Sequence, residues 1–135
     1  MNLVSIAVNS AYGRSQDQLH LHVDCVDASV AAALRQADVS RAWADRPIAL
    51  KGRPYRVRWL TAAQLDTTNP FDLLAHGVPG AGHDMGAWTL ALIGGVRRDG
   101  QPGFYLLADR ADPRTGDPGS AEELQDHTCA SVPDS

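Results

Sequence analysis

The stretch LHLHVDC, residues 19–25, constrains the fold more than any other part of the chain. Apolar and polar side chains alternate strictly along it. This period of two is typical of a β-strand, whose successive side chains point to opposite faces of a sheet. One face is expected to pack into the core, and it consists of Leu19, Leu21, Val23 and Cys25. The other face presents chemically active groups about 7 Å apart, namely His20, His22 and Asp24.

Further periodic segments predict more strands. The predicted strands cover residues 3–9, 18–26, 55–60, 87–96 and 103–109. The first two are expected to pair as a hairpin because only a short polar stretch joins them, and the last two as a second hairpin. Antiparallel strands mixed with helices in irregular order predict an α+β fold, with an antiparallel sheet and flanking helices in a single domain over residues 1–135.

The predicted helices follow recognisable start signals. One begins at Asp27 or Ser29 and runs to about Trp43, through a segment rich in strong helix formers. Two short helices cover residues 61–65 and 70–77. A closing helix near the C-terminus is predicted from Ser120 and Glu123, because their spacing matches a capping box.

Composition excludes some classes of function. The 135 residues carry a net charge of −4, whereas a nucleic-acid-binding domain is expected to present a basic surface. No stretch approaches the roughly 20 apolar residues of a membrane span. The N-terminus, MNLVSIAVNS, lacks the basic and long apolar regions of a signal peptide. We therefore expect a globular domain without a leader or an anchor of its own.

The two cysteines, Cys25 and Cys129, leave two interpretations open. In a reducing compartment such isolated thiols are ordinary core residues. In an oxidising compartment they could close a loop of about 100 residues, worth roughly 4–5 kcal/mol in the loop-entropy model.

Three functions are compatible with the histidine strand. The first is metal binding, because an H-x-H strand offers two imidazole nitrogens, although the surrounding residues match a cupin-like pattern only loosely. The second is nucleophilic attack on phosphorus by a neutral imidazole. The third is a phosphate-binding or interaction module without turnover. Polar side chains near enough in the hairpin to contact phosphate oxygens are Asn9, Gln16, Asp17 and Gln18.

The segment VNSAYGRSQDQLHLHVDC, residues 8–25, resembles the signature of the histidine-triad (HIT-like) superfamily. Within it the chain is most similar to the bacterial CDP-diacylglycerol pyrophosphatases. The similarity extends to NPFDLLAHGVP at residues 69–79 and SAEELQDHTC at residues 120–129, so it covers nearly the whole chain and both cysteines. The resemblance implies a HIT-like fold and hydrolysis of CDP-diacylglycerol to CMP and phosphatidic acid through a nucleotidyl-histidine intermediate. It implies neither a metal nor another cofactor.

The resemblance also implies roles for individual residues. His22 takes the middle triad position and is the expected nucleophile, while His20 orients or polarises it. Asn9, Gln16 and Asp17 match positions that contact phosphate in relatives. Asp24 stands where the triad has its third histidine. An ionised carboxylate there cannot donate a hydrogen bond to phosphate, but it can hold an imidazole in place.

Other implications concern the rest of the protein. The match corresponds to the C-terminal part of the family's chain, whose upstream part carries a membrane-anchoring segment and supplies much of the base and ribose pocket. Relatives act at the periplasmic side of the bacterial inner membrane on a lipid substrate, and HIT-like proteins often pair, which leaves a homodimer open. A catalytically silent HIT-like nucleotide- or phosphate-binding domain is the alternative. His127 is either a structural partner of Asp126 or Glu123 or part of the site.

Overall fold

The computed structural model describes residues 4–11, 21–97 and 99–129. Its centre is a curled seven-stranded antiparallel sheet, ordered β3-β4-β6-β5-β1-β2-β7. The strands are β1 (Val4–Val8), β2 (His22–Val26), β3 (Ile48–Leu50), β4 (Arg53–Leu60), β5 (Trp88–Val96), β6 (Pro102–Arg110) and β7 (Gln125–Asp126). The α+β class and both predicted hairpins, β1–β2 and β5–β6, are confirmed.

Helices lie on both faces of the sheet. They are α1 (Ala28–Gln36), α2 (Ala62–Thr67) and α3 (Pro70–Gly77), together with 3₁₀ helices at Ala81–His83, Met85–Ala87 and Ala121–Leu124. The α2 helix begins with a capping box between Thr61 and Gln64. The α3 helix begins with Asn69, whose side chain accepts a hydrogen bond from the Phe71 amide, and has Pro70 in its first turn. In the described ranges none of the helices is long and apolar enough to span a bilayer.

The sheet face that packs against α1 holds the larger core. The strand β4 shows why, because its alternating residues Tyr55, Val57 and Trp59 are all 0 % exposed on this face. Val30 and Leu34 of α1 pack against the same cluster. The two arginines between the buried β4 residues point to the other face, where they are half-buried. The alternation predicted for this strand is confirmed.

The opposite face carries a second, smaller core under α2 and α3. It contains Leu74 of α3 together with Leu90 and Leu106 of the sheet, and Leu65 of α2 packs against it. These helices cover the middle of the sheet. The part of this face formed by β1 and β2 has no comparable cover among the described residues, because its large apolar side chains are exposed.

The α1 helix ends earlier than predicted, at Gln36, with Ala37 already extended. Tertiary contacts account for the difference. The Trp59 amide donates to the Ser40 carbonyl at 2.8 Å, and the Trp43 indole donates to the Leu73 carbonyl at 3.0 Å. This segment therefore follows β4 into the second core, which outweighs its helical propensity.

The predicted closing helix is also wrong. Residues Ala121–Leu124 form one 3₁₀ turn, and Ser120 makes no side-chain capping bond. Its hydroxyl instead donates to Asn9 Oδ1 at 2.8 Å. The chain then becomes β7, which pairs with Cys25 and Val26 of β2. A long-range partner thus replaces the local one that a capping box requires.

The prediction that the apolar face of β2 packs into the core is wrong for the residues described. Leu21 and Val23 are 60 % and 63 % exposed. His22 and Asp24 share a face with Ala7 and Ser5, their partners in β1, and this is the α1 side of the sheet. The alternation correctly predicted that the polar and the apolar side chains of this strand lie on opposite faces. The α2 and α3 helices, however, do not extend over Leu21 and Val23.

Candidate active site

His22 stands at the start of β2, on the α1 side of the sheet and close to the end of β1. Its side chain is 24 % exposed. Gln125 holds the backbone here, because its side-chain amide donates to the His22 carbonyl at 2.8 Å and to the Ser5 carbonyl at 3.0 Å. The histidine is therefore fixed by β7 on one side and by β1, through Ala7, on the other.

Asn9 lies beside the imidazole and is 5 % exposed. Its Oδ1 accepts from the Ser120 hydroxyl at 2.8 Å and from the Glu122 amide at 3.4 Å. These two donors orient the side chain so that Nδ2 points to the histidine. Nδ2 lies 3.4 Å from His22 Nε2 and donates to Glu122 Oε1 at 3.3 Å. The amide thus connects the imidazole to the 3₁₀ turn.

Glu122 lies on the other side of the imidazole. Its Oε2 is 3.4 Å from His22 Nδ1. A carboxylate at Nδ1 favours the tautomer that carries its proton there and leaves the Nε2 lone pair to react. Sequence reasoning did not single out Glu122, because the capping-box pattern assigned this segment to a helix. The available signal was its place in SAEELQDHTC, which the family resemblance covers.

Asp24 forms a second pair on the same face. Its Oδ2 lies 2.5 Å from His127 Nδ1, and His127 Nε2 lies 3.6 Å from Glu122 Oε2. The hydrogen bond from His127 holds the pKa of Asp24 below its ordinary value. The same hydrogen bond raises the pKa of His127 above its ordinary value. The partner of His127 is therefore Asp24, whereas the predicted structural partners were Asp126 and Glu123.

The loop before the 3₁₀ turn is tied to the sheet at several points. The buried Thr89 hydroxyl donates to the Val8 carbonyl at 2.6 Å and accepts from the Ala121 amide at 2.9 Å. The Ser10 amide donates to the Gly119 carbonyl at 2.8 Å. Gly119 has a φ of +64°, and a Cβ there would lie 2.8 Å from Ser10 Oγ. A glycine is needed because both the backbone conformation and this close approach exclude larger residues.

Not every predicted site residue falls in the described part of the chain. The structure brings together His22, Asn9 and Asp24, and it adds Glu122 and His127. The predicted residues that lie outside the described ranges are His20, Gln16, Asp17 and Gln18.

The structure joins Cys25 and Cys129 in a disulfide, with their Cα atoms 5.2 Å apart. This bond fastens the segment that carries His127 to β2. Among the described residues, the one group of potential metal ligands within reach of a common ion is Asp24 with these two cysteines. Thiolates are the form of cysteine that binds metals, and both sulfur atoms here are bonded to each other.

Comparison with known proteins gives a consistent result. A family model described as "CDP-diacylglycerol pyrophosphatase" matches residues 1–133. A Yersinia pestis protein named CDP-diacylglycerol pyrophosphatase is 46 % identical over 132 residues, which cover 96 % of this chain and 50 % of the relative. The chain thus spans about half the length of that curated relative.

Proposed function

Because the chain belongs to the CDP-diacylglycerol pyrophosphatase family, we propose that it hydrolyses the pyrophosphate bond of CDP-diacylglycerol to give CMP and phosphatidic acid. The observation that carries the proposal is the imidazole of His22, held between the carboxylate of Glu122 and the amide of Asn9. We assign the α+β domain to the HIT-like superfamily on the same basis, since its histidine strand, Asn-bearing strand and family membership agree.

In the first step, His22 Nε2 attacks the phosphorus atom that bears cytidine. A P–N bond forms, and the P–O bond to the phosphatidate breaks. The imidazole gains positive charge as the bond forms, and the Glu122 carboxylate beside Nδ1 stabilises that charge. Asn9 Nδ2, which approaches Nε2 in the free protein, turns its donor to a phosphate oxygen once Nε2 is bonded to phosphorus.

In the second step, water attacks the phosphoramidate. The P–N bond breaks, CMP leaves and the imidazole is regenerated, so that the net reaction consumes one water molecule. A proton must reach the leaving phosphatidate in the first step and leave the attacking water in the second. His127 is suited to both transfers, because Asp24 raises its pKa and its side chain is 60 % exposed to an incoming substrate.

This arrangement gives Asp24 a defined role at the third triad position. An ionised carboxylate donates no hydrogen bond to phosphate, and a second anion, Glu122, lies close by. A protonated His127 between the two carboxylates supplies the missing donor and offsets their charge. The predicted contributions of His20 to orientation, and of Gln16, Asp17 and Gln18 to phosphate binding, complete the proposed site.

The nucleophile is tested with CDP-diacylglycerol labelled in the cytidine phosphate. A short incubation followed by denaturation is expected to trap label on the protein, and His22→Ala is expected to abolish both the trapped label and the turnover. Binding of the labelled nucleotide without turnover in the wild-type chain would favour the silent binding domain instead. Turnover that survives His22→Ala would exclude this histidine as the nucleophile.

Glu122 is tested by a matched pair of neighbours. Glu122→Gln is expected to lower kcat by about 10²-fold, because the neutral amide stabilises the charged imidazole less. Glu123→Gln is the control, since the Glu123 carboxylate lies 3.6 Å from Arg53 and not beside the histidine. Equal rates in the two variants would remove Glu122 from the mechanism.

Membership in the family also supports two properties of the whole protein that we propose. The substrate is a membrane lipid, and a location at the periplasmic side of the bacterial inner membrane suits both that substrate and the Cys25–Cys129 disulfide. Fractionation of the source cells, with the enzyme activity assayed in each fraction, checks this location.

A further inference from the structure

An apolar surface remains exposed on the face of the sheet opposite to His22. We call it the β1–β2 apolar face. Its exposed members are Val4, Ile6, Leu21, Val23 and, from α3, Phe71. A groove of about 150 Å³ lies along it, and all nine residues that line the groove, among them Ile6, Leu21 and Phe71, are apolar. Contiguous exposed patches of this kind mark interaction sites in folded proteins.

The β1–β2 apolar face continues the second core, which lies under α2 and α3. The strand register places Val23, Ile6, Leu92 and Leu106 in one row across β2, β1, β5 and β6. Exposure rises along this row, from 1 % at Leu106 under the helices, through a half-buried Leu92, to 37 % at Ile6 and 63 % at Val23. The row therefore belongs to a hydrophobic layer that α2 and α3 cover at one end only.

The lining of the groove favours a polypeptide over a lipid surface as its occupant. The apolar side chains of a packed polypeptide segment would continue the hydrophobic layer that Leu92 and Leu106 begin. Anionic lipids favour basic residues, of which the groove lining has none.

We propose that the β1–β2 apolar face is the docking surface for the polypeptide that forms the other half of the family's length. The chain spans 50 % of its Yersinia relative, so the family has about as much chain again with which to complete this layer. The docked half buries Val23, Ile6 and Leu21. The proposal rests on family membership and the uncovered face, and its test requires no turnover.

The test joins the chain to the half of the Yersinia relative that it does not span and compares two identical substitutions. Val23→Glu places a charged side chain on the β1–β2 apolar face. Val96→Glu is the control, because Val96 is also an exposed valine, at the far end of β5. In the chain alone, both variants are expected to unfold within a few degrees of wild type. In the joined protein, Val23→Glu is expected to lower Tm by roughly 10 °C, while Val96→Glu leaves it nearly unchanged.

A second measurement does not depend on the joined protein. The same Yersinia half, co-expressed as a separate tagged chain, is expected to co-purify with wild type and with Val96→Glu but not with Val23→Glu. Failure to co-purify with the wild-type chain, or equal Tm values for the two joined variants, would overturn the proposal. Two other results would also overturn it: a dimer of the chain alone that Val23→Glu dissociates, or Val23-dependent binding to phosphatidylcholine vesicles.

Discussion

The strands β2 and β4 follow the same alternating pattern but are buried in opposite ways. In β4 the apolar set is completely buried and the two intervening arginines are half-buried. In β2 the apolar Val23 is exposed, whereas His22 and Asp24, on the other side, are half-buried under the 3₁₀ turn and β7. Alternation thus determines which side chains share a face, but not which face the rest of the protein covers.

The two strands are consequently held in place by different forces. The β4 strand is held by burial, since Val57 and its neighbours fill the core against α1. The β2 strand is held by the disulfide of Cys25, by pairing with β1 and by polar contacts with the segment 120–127. The β4 strand therefore depends mainly on hydrophobic burial, whereas β2, in which only Val26 is completely buried, also depends on its cross-link and its hydrogen bonds.

The largest expected effect is the loss of the disulfide. Replacing both Cys25 and Cys129 by alanine is expected to lower the free energy of unfolding by about 4–5 kcal/mol, because the bond closes a loop between residues separated by 104 positions. Urea denaturation of the variant and of wild type measures the difference. Reduced wild type serves as the control and should show a similar loss. A difference below about 1 kcal/mol would mean that β2 does not depend on its cross-link.

A smaller effect on the free energy of unfolding is expected when the same two methyl groups are removed from a valine in each strand. Val57→Ala is expected to lower the free energy of unfolding by about 2 kcal/mol, because the side chain is 0 % exposed. Val23→Ala is expected to cost less than about 1 kcal/mol, since it removes mainly strand propensity. Denaturation of the two variants under identical conditions compares them directly. Equal losses would contradict the difference in burial on which the comparison depends.

The smallest effect concerns the ion pair between the half-buried Asp24 and the exposed His127. A lowered pKa of Asp24 contributes stability above its ordinary value of 3.8, and a raised pKa of His127 contributes stability below its ordinary value of 6.5. The pair therefore contributes fully between about pH 4 and 6.5. Its contribution declines as the pH rises through the raised pKa of His127 or falls through the lowered pKa of Asp24.

The Asp24→Asn variant tests this pair. The substitution is expected to lower the pKa of His127 in an NMR titration, because it removes the hydrogen bond that is the main cause of the raised value. Asp126→Asn is the control and should lower the pKa less, since the charge of Asp126 is the smallest of the causes that raise it. If both variants titrate like wild type, Asp24 does not hold the imidazole.

Local patterns predicted most of the elements. The strands β1, β2, β4, β5 and β6 and the helices α2 and α3 follow from alternation, apolar runs and capping residues that act within a few positions. The predictions failed where distant contacts replaced local ones. Ser120 binds Asn9 instead of capping a helix, and Trp43 binds the Leu73 carbonyl in the second core.

The candidate site shows the same limit. The sequence singled out His22, Asn9 and Asp24, because an H-x-H strand beside an Asn-bearing strand is a recognisable pattern and resembles a known family. It did not predict that Glu122 lies beside His22 or that His127 binds Asp24. Each of these contacts joins positions about a hundred residues apart, so no local spacing encodes them.

The sequence by itself determined that His22 and Asp24 share one face of a strand and that Leu21 and Val23 share the other, because side-chain direction in a strand depends only on the parity of position. Only the tertiary structure decided that β7 runs beside β2 and brings His127 to the polar face, and that α2 and α3 stop short of the apolar one. Which surface is covered depends on where distant segments pack, and alternation carries no information about that.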